Sequence, residues 1–180
     1  MLHLELVEKC KQNDRAAQLS LYKKYCDGMY CVAMRFLQNE KDAEDVLQEA
    51  FIKAFQKIEQ YQGEVTFGAW LKKIVVNRSI DFLKAKREKT IPLEDGYMHV
   101  AEDDSWEVAD HCTIEMVKLA INNLADTYKY VVQLFLLEGY DHQEIAEILA
   151  ISETASRTRL VRGKAQLKEQ LKQMDYGTGS

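Results

Sequence analysis

Apolar residues return at intervals of three and four along most of this chain, the period of an amphipathic helix rather than of a strand. In the first half they fall at Ala17, Leu21 and Tyr25, at Val46, Ala50, Phe51 and Phe55, and at Phe67, Trp70, Leu71 and Ile74. The second half repeats the pattern at Ile114, Val117, Ala120 and Ile121, then at Tyr128, Val131, Val132 and Phe135. Strand signals are sparse: Val75-Val76 is too short, and Thr90-Ile91-Pro92 carries a breaker. The pattern therefore predicts an all-α protein. Its only proline, Pro92, sits where the helical period stops. From Lys89 to Lys118 there is no other lysine or arginine, while Glu94, Asp95, Glu102, Asp103, Asp104, Glu107, Asp110 and Glu115 occupy the gap. These shifts divide the chain into a helical domain at 1–89, an acidic linker at 90–112 and a second small helical domain at 113–175.

The end of the second block carries a helix-turn-helix pattern. Asp141 can cap a short helix whose Ile145, Ile148 and Leu149 share one face, and Ala146 is small enough for a close helix crossing. After Ala150 and Ile151, Ser152 can cap a second helix. That helix sets Arg157, Arg159, Arg162, Lys164 and Lys168 beside Leu160 and Leu167. Two helices joined by so short a turn, the second one basic, have the geometry that lays a helix in the DNA major groove. A solvated helical hairpin with ordinary surface cations fits the same pattern.

Composition narrows the setting. With 180 residues, 47% of them hydrophobic, the chain can bury one core or two small ones. A formal net charge of −5 argues against a protein that coats nucleic acid unaided, so any contact with DNA must come from local patches. The first twelve residues do not read as a secretory leader, and no apolar run approaches twenty residues. A cytosolic protein is expected, with Cys10, Cys26, Cys31 and Cys112 as thiols, and with no membrane insertion. No cofactor or metal is expected either. His111 beside Cys112 lacks the four spaced ligands of a structural zinc site. Asp42, Glu44, Asp45 and Glu49 prompt a carboxylate-bridged metalloenzyme reading, but none of His3, His99, His111 and His142 forms the Glu-x-x-His pair that it needs. The chain is therefore not read as an enzyme.

Two segments of the first block carry candidate chemistry. DAEDVLQEAFIKAFQKI at 42–58 puts Asp45, Gln48 and Glu49 near one face, a docking surface for a basic helical partner or an ordinary amphipathic helix. Further on, residues 61–65 interrupt the period and Thr66 can cap a helix holding Phe67, Trp70, Lys72, Lys73, Asn77, Arg78, Asp81, Lys84, Lys86 and Arg87. Cations beside aromatic rings and an amide suit single-stranded DNA, in which phosphates meet cations, bases stack and an extruded base is read by hydrogen bonds. Phe67 and Trp70 read equally as core, and Trp70 more so than not.

Taken together, these segments resemble the extracytoplasmic-function group of bacterial RNA polymerase sigma factors. LYKKY at 21–25, DAEDVLQEAF at 42–51 and FGAWLKKIVVNRSIDFLK at 67–84 are similar to region 2 of that family. A leucine at Leu124, LLEGYDHQEIAEILAIS at 136–152 and TRLVRGKAQL at 158–167 are similar to region 4. The resemblance implies a non-catalytic initiation factor that brings RNA polymerase core enzyme to promoter DNA and helps to open it. Asp45, Gln48, Glu49 and Phe51 would bind the core polymerase. Tyr61, Gly63, Trp70, Lys73, Asn77, Arg78 and Lys84 would hold the minus-ten element as an unpaired strand, with Asn77 reading a base. Thr154, Ser156, Arg157, Arg159, Arg162 and Lys164 would meet the minus-thirty-five element, arginine reading guanine and lysine anchoring phosphate. An anti-sigma factor is the implied regulator, and the acidic linker is either a removable stand-in for RNA in the polymerase channel or a solubilising spacer.

Three departures from the family pattern bear on these expectations. Ala125 stands where proline usually opens a helix, Ala150 where the turn usually has glycine, and Ser156 where many relatives carry a valine facing the first motif helix. The alternative function is a stand-alone helix-turn-helix regulator, which would have no use for the surfaces on the first block.

Overall fold

The computed structural model describes residues 2–87 and 112–177, all in helices and their connections, with no strand among them. The acidic linker at 90–112 lies outside the described residues except for Cys112. Two compact units divide the chain near residue 93.

The first unit is built on three long helices that pack against one another, α2 (Arg15–Leu37), α3 (Glu40–Gln56) and α4 (Phe67–Arg87). A short α1 (Leu2–Lys11) lies against α2 and against the 3-10 turn Ile58–Gln60. Each start has a local cause. Asp14 accepts hydrogen bonds from the Ala16 and Ala17 amides (2.8 and 3.1 Å), Asn39 accepts from Asp42 (3.0 Å) and Thr66 from Ala69 (3.2 Å), filling donors that a helix start leaves open. Helix α2 stops at Gln38, whose left-handed backbone (φ 52°) turns its amide to Met34 O (3.0 Å). The core comes from Leu21, Val32, Phe36, Val46, Leu71, Val75, Val76 and Ile80, all nearly or fully buried. Ala43, Ala50 and Ala54 share one face of α3 and are fully buried, so their neighbours can approach closely. Burial also seals Cys10, whose thiol is pushed up to about 11 by desolvation and then by Asp14. It is packing material, not a nucleophile.

The second unit gathers α5 (Ile114–Asn122), α6 (Asp126–Val132) and α7 (His142–Leu149) around the long α8 (Glu153–Gly177). Thr113 caps α5 through the Met116 amide (3.2 Å). Helix α6 follows Ala125, which offers no side-chain cap, and widens into a π turn at Gln133–Leu137. In that turn the Glu138 amide reaches back five residues to Gln133 O (3.1 Å). The core is Ile121, Leu124, Val131, Val132, Leu134, Ile145, Leu160 and Leu167. Gly163 lets α8 cross α6: a Cβ there would sit 2.5 Å from Val132 Cγ2 and 3.3 Å from Tyr128 Cβ.

Candidate nucleic-acid and polymerase interfaces

The helix-turn-helix closes through a capping box. Asp141 accepts from the Glu144 amide (2.8 Å) while the Glu144 carboxylate accepts from the Asp141 amide (3.1 Å). Helix α7 ends at Ala150 in the left-handed region (φ 56°, ψ 49°), so the turn does demand the conformation that glycine adopts without strain. Ser152 then caps α8 through the Ala155 amide (3.1 Å).

Along α8, Thr154 and Arg157 are exposed near the N-terminal end, and Thr158 joins them on the outward face. Arg159, Arg162 and Lys164 are half-buried, Arg159 on one flank of that face and Lys164 on the other. The Lys164 ammonium lies 5.7 Å from the centre of the Phe135 ring. Arg157 pairs with Glu153 at 3.5 Å. Ser156 departs from its expected role as a DNA contact. Its side chain is fully buried, with Oγ 2.9 Å from His142 Nδ1, because it lies on the face that α8 turns to α7. His142 in turn stacks on Phe135, ring centres 5.0 Å apart. Burial, then Arg157 and Lys164, outweigh the pull of Asp141 and Glu153 and hold the imidazole below its ordinary pKa.

In the first unit, Asp45, Gln48 and Glu49 are exposed along α3. Phe51 is not available for docking. It is 3% exposed, with its ring 4.8 Å from that of Tyr22 and 6.0 Å from that of Phe55. The exposed apolar residue beside the acidic stripe is Ile52, 58% exposed, four residues after Gln48 and three after Glu49. That spacing was in the sequence, but the neighbouring phenylalanine masked it.

Helix α4 puts Trp70, Lys73, Asn77 and Lys84 on one face at intervals of three, four and seven residues. Lys73 and Lys84 are exposed, while Asn77 and Trp70 are half-buried. Trp70 belongs to a ring cluster in which Tyr61 and Phe67 lie 5.5 and 5.6 Å from it and Tyr25 lies 5.5 Å from Phe67. Gly68 leaves room for this cluster, since a Cβ there would be 3.0 Å from the Tyr25 ring. Tyr61 also departs from expectation. It is 7% exposed and donates its hydroxyl hydrogen to Val65 O (2.7 Å), so it braces the loop and offers no ring to a base. That loop instead exposes Gly63 (φ 81°) and Val65, which is 53% exposed. Arg78 points away from the face of its neighbours and pairs with Glu49 of α3 and, at 3.9 Å, with Asp81.

Comparison with known proteins agrees with this arrangement. The sequence profile of Sigma-70 region 2 matches residues 21–89, and that of Sigma-70, region 4 matches residues 114–167. The ECF RNA polymerase sigma-E factor of Haemophilus influenzae is 30% identical, over 92% of this chain and 93% of its own. The ECF RNA polymerase sigma factor SigW of Bacillus subtilis is 28% identical, over 97% and 99%. A solved structure of the sigma factor RpoE in complex with the anti-sigma factor NepR from Bartonella quintana shares the fold, with a TM-score of 0.56 at 20% identity over 85% of this chain and 95% of that one. The chain belongs to the extracytoplasmic-function sigma factors of the Sigma-70 family. It is a transcription initiation factor, not an enzyme, and it binds RNA polymerase and directs it to promoters. Among the described residues no helix is long and apolar enough to cross a membrane.

Proposed function

We propose a division of roles among the three surfaces. The outward face of α3, with Asp45, Gln48, Glu49 and Ile52, docks on a basic helical element of core polymerase. The face of α4, with Trp70, Lys73, Asn77 and Lys84, takes the minus-ten element as an unpaired strand, assisted by Gly63 and Val65 in the preceding loop. In the major groove of the minus-thirty-five element, α8 sets Thr154, Arg157 and Arg162 toward the bases, with Arg159 and Lys164 at the flanking phosphates.

The observation that carries this reading is the separation of charge within one small domain. Exposed carboxylates stand on α3 and exposed lysines on the neighbouring α4, so a cationic protein and an anionic strand can be held side by side. The same separation accounts for a negative net charge in a DNA-directed protein: each DNA surface is weak alone, and affinity arises when polymerase holds both.

On this reading the factor works in a bacterial cytoplasm, opens the promoter it selects, and is held in check by an anti-sigma factor that covers the α3 and DNA-facing surfaces. The acidic linker at 90–112 occupies the nucleic-acid channel of polymerase until RNA displaces it. Run-off transcription from a promoter library, with purified core polymerase and with or without the chain, tests the reading. Transcripts that start downstream of a shared two-part element support it; binding of one duplex site equally tightly without polymerase would favour the stand-alone regulator.

A further inference from the structure

Among the described residues, two ion pairs tie α3 to α4. Glu49 pairs with Arg78, and Asp42 pairs with Lys86 at 3.0 Å. The pairing of a later α3 residue with an earlier α4 residue shows that the two helices run antiparallel, and the pairs stand about two helical turns apart along them. In each pair the carboxylate comes from α3 and the cation from α4. Both are open to water: the side chains of Glu49 and Lys86 are 53% and 66% exposed, those of Arg78 and Asp42 28% and 21%. Glu49 thus belongs at once to the outward face of α3 and to the seam with α4.

We propose that Asp42 and Glu49 are intramolecular counter-ions, which occupy Lys86 and Arg78 in the free protein as nucleic-acid phosphates would, and that a cationic partner docking on α3 takes over Glu49 and releases Arg78 to DNA. The inference rests on the proposed roles of α3 and α4. Exposed ion pairs are weak enough for such an exchange, and their loss to solvent is tolerated by both groups. While the pairs are closed, a strand on the Trp70–Lys84 face gains nothing from Arg78 and Lys86, which lie off that face, and the two cations contribute no counter-ion release. Once they are open, each cation that meets a phosphate of a single strand steepens the dependence of log affinity on log salt by about 0.7. The device makes the free chain a poor DNA binder and makes docking and strand capture cooperative, through two helices and without any change of fold.

The test compares the full chain with Asp42→Asn/Glu49→Gln and with Glu44→Gln/Asp45→Asn, in the absence of polymerase. Each double variant removes two negative charges from α3, and in the second neither position is among the two seam pairs. Anisotropy of a labelled single-stranded oligonucleotide is measured from about 50 mM to about 200 mM salt, with circular dichroism to confirm the helices. Opening both pairs should tighten binding several-fold more than the control substitution does and steepen the salt slope by about 0.7 to about 1.4, since Asp81 still stands 3.9 Å from Arg78. Equal tightening in the two variants, or none, overturns the inference. A third variant, Lys73→Ala/Lys84→Ala, separates the two levels. If it binds the strand as well as the unaltered chain, the role given to α4 fails and the inference with it; if it weakens binding while the two α3 variants behave alike, the inference alone fails.

Discussion

His142 Nδ1 lies 2.9 Å from Ser156 Oγ, joining the two helices of the helix-turn-helix through a polar contact on the buried face of α8. Desolvation, with Arg157 next, keeps the imidazole below its ordinary pKa, so the folded state binds the proton less well than the unfolded chain does. Stability from this term is complete above the unfolded value of about 6.5 and is lost as pH falls from there through the lowered folded value. Thermal unfolding of the second unit should therefore drop in midpoint on acidification below about pH 6.5, and His142→Gln should flatten that part of the profile.

The left-handed backbone of Ala150 costs about 1 kcal/mol relative to glycine. Ala150→Gly should raise the stability of the second unit by about that amount in urea denaturation, with no change in the slope of the transition. Unaltered stability would mean that the turn relaxes to another conformation.

The opposite substitution is predicted to fail at the helix crossing. Gly163→Ala would drive a methyl group to within 2.5 Å of Val132 Cγ2, and α8 must shift away from α6. A loss of about 1–3 kcal/mol in the stability of the second unit is expected from such overpacking. Denaturation of the variant chain measures it.

Phe51 and Ile52 are neighbours, one buried and one exposed. Phe51→Ala empties a buried site against Tyr22 and Phe55 and should cost about 3–5 kcal/mol of stability in the first unit. Ile52→Ala removes an exposed side chain, so stability should stay within about 0.5 kcal/mol. Association with core polymerase, measured by co-sedimentation, should nevertheless weaken for Ile52→Ala. A stable Phe51→Ala chain would contradict the assignment.

Much of this fold could be read from local chemistry. Asp141, Thr66 and Ser152 cap the helices that their positions suggested, since a cap depends only on the two or three residues after it. The demand for a left-handed residue at position 150 was visible through the resemblance, because alanine stands where the family's turn usually has glycine. Tertiary choices were less legible. Phe51 keeps the period of Val46, Ala50 and Phe55 while the resemblance assigned it to polymerase, and its packing on the rings of Tyr22 and Phe55 decides for the core. Tyr61 lies in a segment without periodicity, where nothing marks the bond from its hydroxyl to Val65 O. Ser156 is polar and sits among cations, which suggests an outward side chain, while the valine of many relatives at this position suggests an inward one; the contact with His142 decides. The π turn at Gln133–Leu137 has no local signature at all.

On the proposed division of roles, polymerase docking and DNA reading belong to different helices of one small protein. Reconstitution with core polymerase measures this most directly, scoring each variant both for retention on immobilised core enzyme and for promoter-dependent transcription. Asp45→Arg/Gln48→Arg should lose retention and transcription together, whereas Lys73→Ala/Asn77→Ala and Arg157→Ala/Arg162→Ala should be retained in full and fail only in transcription. Retention of the α3 variant at the level of the unaltered chain, or loss of retention in the α4 and α8 variants, would contradict the account.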